Sequence, residues 1–311
     1  MCSGDRVEAG LLWSHASVYP VHDGIPRFVW SRATRDRFLD RWRGQLASKA
    51  GDPRLRSFAA VDPVLTPTQA LYDFQWRRLD LADAERNRQQ VERHLGRSDS
   101  LPQAGLALEI GCGNGRHSSA LAAYAARVVA VDFGDQIEMA AERTADPKIS
   151  FVQASALRLP FADARCGLVF TSGVLMHTPS TRSAFAEACR VLSPGGRVSC
   201  WVYSRWRWPM LERLSDLVRA GTTRLPHRIV LAFAYLAAPA LPLARRLLGY
   251  EFQQGQPTYR DAVYYLFDWF TPEFQWKHTN DELRAWATEE GLLVVRELHP
   301  PAGIVAERPG S

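Results

Sequence analysis

Leu106-Ala107-Leu108-Glu109-Ile110-Gly111-Cys112-Gly113-Asn114-Gly115-Arg116 is an apolar run that ends in three alternating glycines, with a carboxylate two positions before the first. The pattern predicts a buried strand ending at Ile110. Gly111, Gly113 and Gly115 then form a turn whose backbone adopts conformations closed to other residues and lets a ligand approach closely. A helix is expected from Arg116 to Ala126, its first amides facing the bound group.

The next apolar run, Val128-Val129-Ala130-Val131-Asp132-Phe133, predicts a second buried strand. Its last apolar residue is followed by a carboxylate, placed where Asp can take both hydroxyls of a ribose. Dinucleotide sites share that feature, but their fingerprint G-x-G-x-x-G needs glycine at the position of Arg116. The spacing here is G-x-G-x-G, which favours S-adenosylmethionine over NAD as the cofactor.

Further blocks follow in order. They are Phe151-Val152-Gln153-Ala154-Ser155-Ala156-Leu157-Arg158-Leu159-Pro160-Phe161, then Leu168-Val169-Phe170-Thr171-Ser172-Gly173-Val174-Leu175-Met176-His177-Thr178, then Arg190-Val191-Leu192-Ser193-Pro194-Gly195-Gly196-Arg197-Val198. With them the stretch from Leu106 to Val202 resembles the class I S-adenosylmethionine-dependent methyltransferases. The likeness is greatest to the branch holding the ubiquinone and menaquinone methyltransferases and many small-molecule methyltransferases. The resemblance implies an α/β, Rossmann-like fold: a seven-stranded, mostly parallel sheet with helices on both faces, an N-terminal extension and a helical cap insertion. It implies that Gly111, Gly113 and Gly115 surround the methionine portion of the cofactor, that Glu109 organises its ammonium end through water, and that Asp132 holds the ribose. By the same resemblance Phe133 lies against the adenine, Ser155 and Ala156 sit at its edge, and the Ser172 carbonyl is near the ammonium. The chain departs from the family pattern in carrying Ser155 where Asp is usual and Cys166-Gly167 where Phe-Asp is usual.

At 311 residues and 46% hydrophobic content the chain can bury a full α/β core. The net charge of +5 is modest. Arginines crowd the start, at Arg27, Arg32, Arg35, Arg37, Arg41, Arg43, Arg54 and Arg56, but Asp36, Asp40 and Asp52 intersperse them. That mixture reads as a solvated helical face rather than a nucleic-acid surface. Ser172-Gly173-Val174-Leu175 also lacks the Asp/Asn-Pro-Pro-aromatic loop of enzymes acting on exocyclic base amines, so no nucleic-acid partner is expected. Five cysteines without paired spacing and a start without signal-peptide character point to a reducing, cytoplasmic setting with buried thiols.

Four segments follow. Residues 1–98 form an N-terminal extension. Tyr19-Pro20-Val21-His22-Asp23-Gly24-Ile25-Pro26-Arg27-Phe28-Val29 resembles the closing segment of a small zinc-ribbon-like module. Cys2 with Asp5, and Leu12 with His15, stand where that module has Cys-x-x-Cys pairs, so a metal-free remnant is expected. Thr66 to Arg97 reads as one or two helices. There Tyr72-Asp73-Phe74-Gln75-Trp76 resembles an aromatic-Gln-Trp element that covers the cofactor, with helix packing by Tyr72 and Trp76 as the equal alternative. Residues 99–204 are the S-adenosylmethionine-binding core, ending in a fifth strand over Arg197–Tyr203. Residues 205–280 are a helical cap for the acceptor, and 281–311 complete the sheet with a helix from Thr279 or Asn280 to Glu290 and strands at Leu292–Leu298 and Gly303–Glu307.

Within the cap, Ile229 to Ala244 is almost wholly apolar, bordered by Arg228 and Arg245-Arg246. Sixteen residues with two prolines fall short of the roughly twenty that span a bilayer. Three readings stand: a cap over the pocket, a homodimer contact, or a segment lying in a membrane interface as a peripheral contact. Aromatic residues from Tyr259 to Trp276 suit a flat or lipophilic acceptor.

Methyl transfer needs an aligned acceptor, exclusion of water and, for a hydroxyl acceptor, a base. His177 is the first candidate because it follows the fourth strand at the edge where ligands bind and titrates near neutrality. Asp268 and Tyr203 are the second-line candidates. The favoured reading is methylation of a small, rather apolar acceptor, oxygen ahead of nitrogen or carbon, in secondary-metabolite biosynthesis. A lipid, polyprenyl or polysaccharide-precursor acceptor is one alternative. A cofactor-binding protein of this fold with a non-methylating role is the other.

Overall fold

In the computed structural model, the described residues are 2–3, 6–7, 9–13, 18–29, 31–47, 66–79, 83–100, 103–205, 208–243, 258–299 and 302–310. A small N-terminal module comes first. It contains β1 (Cys2–Ser3), β2 (Arg6–Val7), β3 (Gly10–Trp13), β4 (Val18–His22), β5 (Ile25–Pro26) and helix α1 (Arg32–Ala47). Strands β3, β4 and β5 make an antiparallel sheet. The β4–β5 hairpin turns on Asp23-Gly24, both at positive φ (51° and 71°), as a tight two-residue hairpin requires. Asp5 and His15, two of the residues standing where the zinc module has ligands, lie outside the described residues. Leu12 is on β3, and among the described residues no cluster of three potential metal ligands occurs.

Two helices, α2 (Thr66–Arg78) and α3 (Ala84–Leu95), lead to the main sheet. Its strands are β6 (Ala104–Ile110), β7 (Ala125–Asp132), β8 (Ile149–Gln153), β9 (Cys166–Ser172), β10 (Leu192–Ser204), β12 (Leu293–Leu298) and β13 (Ala302–Glu307). The order is β12-β13-β10-β9-β6-β7-β8. The pairs from β8 to β10 are parallel, and β13 pairs antiparallel with both β10 and β12. This is the expected seven-stranded, mostly parallel sheet. A two-residue strand, β11 (Lys277–His278), extends one corner by pairing with Tyr203 and Ser204. From β6 the chain moves outward to β7 and β8, then returns to β9 on the other side. The crevice over the carboxyl ends of β6 and β9 is therefore the topological switch point, where open α/β sheets bind ligands.

Alternation along each strand divides the core. Ala107, Val128, Ala130, Leu168 and Phe170 pack with Val91, Leu95, Leu121 and Ile137 on one face. Leu108, Ile110, Val169, Val198 and Cys200 pack with Ala184, Phe185, Leu283 and Ala287 on the other. The helices involved include α4 (Ser118–Leu121), α5 (Ile137–Arg143), α6 (Thr181–Arg190) and α10 (Asn280–Glu289). Thr279 is the N-cap of α10, in a reciprocal capping box with Glu282. The helix expected over Arg116–Ala126 is corrected to the single turn Ser118–Leu121. Ala125 is already the first residue of β7, paired to Ala104, and the Tyr124 hydroxyl donates to the Gly96 carbonyl at 2.6 Å, fixing the chain reversal. Cys112, Cys166, Cys189 and Cys200 are free and buried, and burial pushes the Cys166 and Cys189 thiols up to about 11 and about 12.

The N-terminal module is tied to the sheet through one buried cation. Arg27 is 2% exposed and donates from Nη1 to Gln153 Oε1 (2.7 Å) and from Nη2 to Glu138 Oε1 (3.0 Å). The Phe28 amide donates to the Gln153 carbonyl, and the Ser31 and Thr34 hydroxyls donate to Asp135. Glu138 keeps a second partner in Arg37 at 3.2 Å, so removing Arg27 strands the buried Gln153 oxygen, and Arg27→Met is expected to cost about 1–3 kcal/mol in denaturant unfolding. A loss below about 1 kcal/mol would show that the module is not held this way.

A second buried charge lies under the glycine turn. Glu109 is 1% exposed; it accepts a short hydrogen bond from the Ser118 hydroxyl, and its other oxygen is unpaired, with His117 Nδ1 3.9 Å away. Burial raises its carboxyl to about 7 against an ordinary 4.5, so between those values the folded chain binds the extra proton. Stability therefore falls as pH rises through that window. Glu109→Gln is expected to flatten the fall, raising Tm more at about pH 8 than at about pH 5; an equal shift at both would place the burden elsewhere.

Candidate cofactor and acceptor site

The carboxyl ends of β6, β7, β8 and β9 open into a cleft of about 860 Å³, counting the solvent at its mouth. Its floor is the glycine turn. Gly111 and Gly113 are both at positive φ (77° and 57°). A Cβ on Gly111 would stand 2.2 Å from Val174 Cγ2, and one on Gly113 would stand 2.9 Å from the Trp76 indole. Glycine is thus required twice, by backbone sign and by space.

Asp132 closes the end of β7. Its Oδ2 accepts from the Gly113 amide (2.8 Å), and its Oδ1 accepts from the Gly134 amide (3.0 Å) and from Gln136 Nε2 (2.8 Å). Burial raises its carboxyl above the usual range, opposed by the amides of Gly134 and Gly113. Phe133, Ala154, Ser155, Ala156 and Leu157 continue the wall from this carboxylate. A hydrogen-bonding end followed by a flat, mostly apolar slot is the donor and acceptor set that a ribose and an adenine require. The residues present therefore fit an adenosyl group.

Helix α2 forms the roof. Tyr72 and Trp76 both line the cleft, and Trp76 also packs with Tyr264 on α9 (Tyr259–Phe270), so covering the cleft and helix packing are the same act. Asp73 accepts from the Gln136 amide at 2.8 Å, fastening the roof to the loop after β7. The Tyr72 hydroxyl is buried without a partner, and burial pushes its phenol well above the ordinary value.

His177 sits in a 3₁₀ turn (Leu175–His177) after β9. Its Nδ1 is 2.9 Å from the Phe274 carbonyl, which can only accept, so the ring proton is on Nδ1 and Nε2 carries the lone pair. Nε2 is buried with no partner. The ring lies edge-on to Tyr72 (5.7 Å) and Tyr203 (5.4 Å). Burial lowers its pKa below 6.5, leaving it neutral at physiological pH.

Asp268, on α9, also lines the cleft. It accepts from Gln75 Nε2 at 2.9 Å and takes a short hydrogen bond from the Tyr203 hydroxyl. Burial beside that carboxylate pushes the Tyr203 phenol well above its ordinary value, so Tyr203 holds its proton.

The sites inferred from sequence are thus mostly brought together. Gly111, Gly113, Asp132, Phe133, Ser155, Ala156, Ser172, Tyr72, Trp76, His177 and Asp268 all face one cleft. Glu109 and Gly115 lie beneath its floor, and Tyr203 stands behind His177 and Asp268. Sequence reasoning missed Gln136 and Gln75, which brace the two carboxylates, and Arg116, which sits over the Trp76 ring at 5.3 Å. No periodicity or spacing marks a lone glutamine as a brace.

Residues 108–200 match the Methyltransferase domain family. The chain is 38% identical over 112 residues to a demethylmenaquinone methyltransferase of Clavibacter sepedonicus, covering 35% of this chain and 46% of that protein. It is 35% identical over 98 residues to the 27-O-demethylrifamycin SV methyltransferase of Amycolatopsis mediterranei, covering 30% of this chain and 36% of that protein. The chain therefore spans under half the length of these curated relatives. Among solved structures, the N-methyltransferase NodS of Bradyrhizobium japonicum in complex with S-adenosylhomocysteine has a TM-score of 0.37 at 24% identity, covering 46% of this chain and 77% of that chain. The matched blocks fall on the strands and turns that build the cleft, and the chain carries a class I S-adenosylmethionine-dependent methyltransferase domain.

Proposed function

We propose that the whole chain methylates a small, rather apolar acceptor on oxygen, in secondary-metabolite biosynthesis. The observation that carries this reading is His177, a buried, neutral imidazole whose proton is held on Nδ1 by the Phe274 carbonyl and whose Nε2 has no partner. An acceptor hydroxyl is the group that such a nitrogen serves, because it must lose a proton as it is methylated. The match to a protein named as an O-methyltransferase of a rifamycin supports the same class of acceptor.

S-adenosylmethionine supplies a methyl group already activated on a sulfonium. On this reading, Asp132 holds the ribose hydroxyls, Phe133, Ser155 and Ala156 flank the adenine, and the glycine turn and Ser172 carbonyl enclose the methionine portion. Glu109 acts from beneath the turn on the ammonium end. Tyr72, holding its proton, donates to the acceptor oxygen and orients it. His177 Nε2 would take the proton of the acceptor hydroxyl, leaving the oxygen's electron pair free for methylation. Asp268, braced by Gln75 and Tyr203, keeps Tyr203 against the imidazole and gives the resulting imidazolium a nearby counter-charge. Tyr72, Trp76 and Tyr264 exclude water.

Cofactor turnover with hydrophobic metabolites, read by mass spectrometry as a one-methylene gain with matching S-adenosylhomocysteine, tests the reading; cofactor binding without turnover on any hydroxyl acceptor would overturn it. His177→Ala is expected to lower kcat by about 10²–10⁴ while cofactor affinity stays within about twofold. In the parent enzyme, the acid limb of kcat should fall below pH 6.5, because protonation of the buried imidazole removes the base. Asp132→Ala should weaken cofactor binding by about 10–100-fold on titration, and unchanged affinity would contradict the ribose assignment.

A further inference from the structure

Helix α7 (Pro209–Thr222) is built inside out. The side it buries is polar. Ser215 accepts from Trp269 Nε1 at 2.8 Å, and Arg219 donates to the carbonyls of Trp269 (3.1 Å) and Pro272 (2.7 Å). Its apolar side faces outward, with Met210 82% and Leu217 71% exposed, and Leu214 and Val218 completing a stripe at helical spacing. Helix α8 (His227–Ala237) does the same with size. It packs small Ala234 and Val230 inward and leaves Phe233 59% and Leu236 78% exposed, with Ile229 one turn before them.

Such a surface on two successive helices has no role in the chain's own core. We propose that the α7–α8 face docks on an anionic lipid bilayer, lying in the interface. The charges around it identify the occupant. Arg213, Arg224 and Arg228 are the exposed cations of the two helices and their linker. The exposed acid on α7, Asp216, is held by Lys277 Nζ at 2.7 Å. An apolar stripe bordered by arginines complements the acyl boundary and phosphates of acidic lipids. A self-pairing contact would bring the same cationic set to both sides. With 14 and 11 residues, the helices lie along the membrane; no helix among the described residues is long and apolar enough to cross one. Helix α8 rests on α9, whose opposite side lines the cleft through Tyr264 and Asp268, so the docked face and the site share one helix.

Co-sedimentation with phosphatidylcholine vesicles containing about one quarter phosphatidylglycerol tests this, against phosphatidylcholine alone. Binding to the anionic vesicles should be at least about tenfold tighter, and about 0.5 M sodium chloride should weaken it. The Leu217→Glu/Phe233→Glu pair should abolish pelleting while S-adenosylmethionine affinity, read by titration, is unchanged and reports an intact fold. Arg224→Glu/Arg228→Glu should reduce binding to anionic vesicles only. Failure of the wild-type chain to pellet, equal pelleting with neutral vesicles, or a dimer in light scattering that Leu217→Glu dissociates would overturn the proposal.

Discussion

The carboxylate of Asp132 is the hinge on which the site is hung. Three donors from two pieces of chain converge on it: the Gly113 amide from the turn after β6, and the Gly134 amide and Gln136 side chain from the loop after β7. A buried carboxylate is tolerable only when its lone pairs are met, so the two pieces are fixed in relation to each other. The Gln136 amide in turn donates to Asp73, which brings down the α2 roof with Tyr72 and Trp76. Gln153 follows on the neighbouring strand, bonded to both Asp135 and the Phe133 carbonyl, and carries the Arg27 link to the N-terminal module. Floor, roof and N-terminal module thus meet in one continuous polar network at the ends of β7 and β8.

What was legible in the sequence follows from how local each determinant is. Leu106–Arg116 and Val128–Phe133 carry strand, turn and carboxylate within a few residues, and register then forces their ends together: Ile110 pairs with Val131, and Asp132 pairs with Gln153. The helix after Gly115 was overestimated because Ala-rich sequence from Ala120 to Ala126 is permissive of helix, whereas pairing of Ala125 with Ala104 and the Tyr124 anchor are non-local. Contacts such as Gln75 with Asp268, separated by 193 positions, leave no trace in spacing. The same holds for the Phe274 carbonyl that sets the His177 tautomer.

The two candidate carboxylates illustrate how environment divides labour. Asp132 receives amides at the end of β7, whereas Asp268 receives a phenol and an amide side chain on the side of the cleft bounded by α9. Between them, Tyr72 touches Phe133 with one edge of its ring environment and His177 with the other, at 6.5 and 5.7 Å. Tyr72, its hydroxyl unpartnered, thus bridges the residues around the two carboxylates.

Helix α7 shows where periodicity alone misleads. A 3.6-residue pattern establishes that a helix has two unlike sides, but which side is inward depends on what the neighbour presents. Here the neighbour presents the carbonyls of Trp269, Phe270 and Pro272 where α9 ends. Arg219 and Thr222 donate to those acceptors, with Gln275 Nε2 also on the Trp269 carbonyl at 3.0 Å, so the polar side of α7 faces in and the leucines face out. The exposed apolar stripe on α7 is then a consequence of meeting the acceptors at the end of α9. The same apolar stripe on a helix lying against a sheet would have been read, correctly, as core.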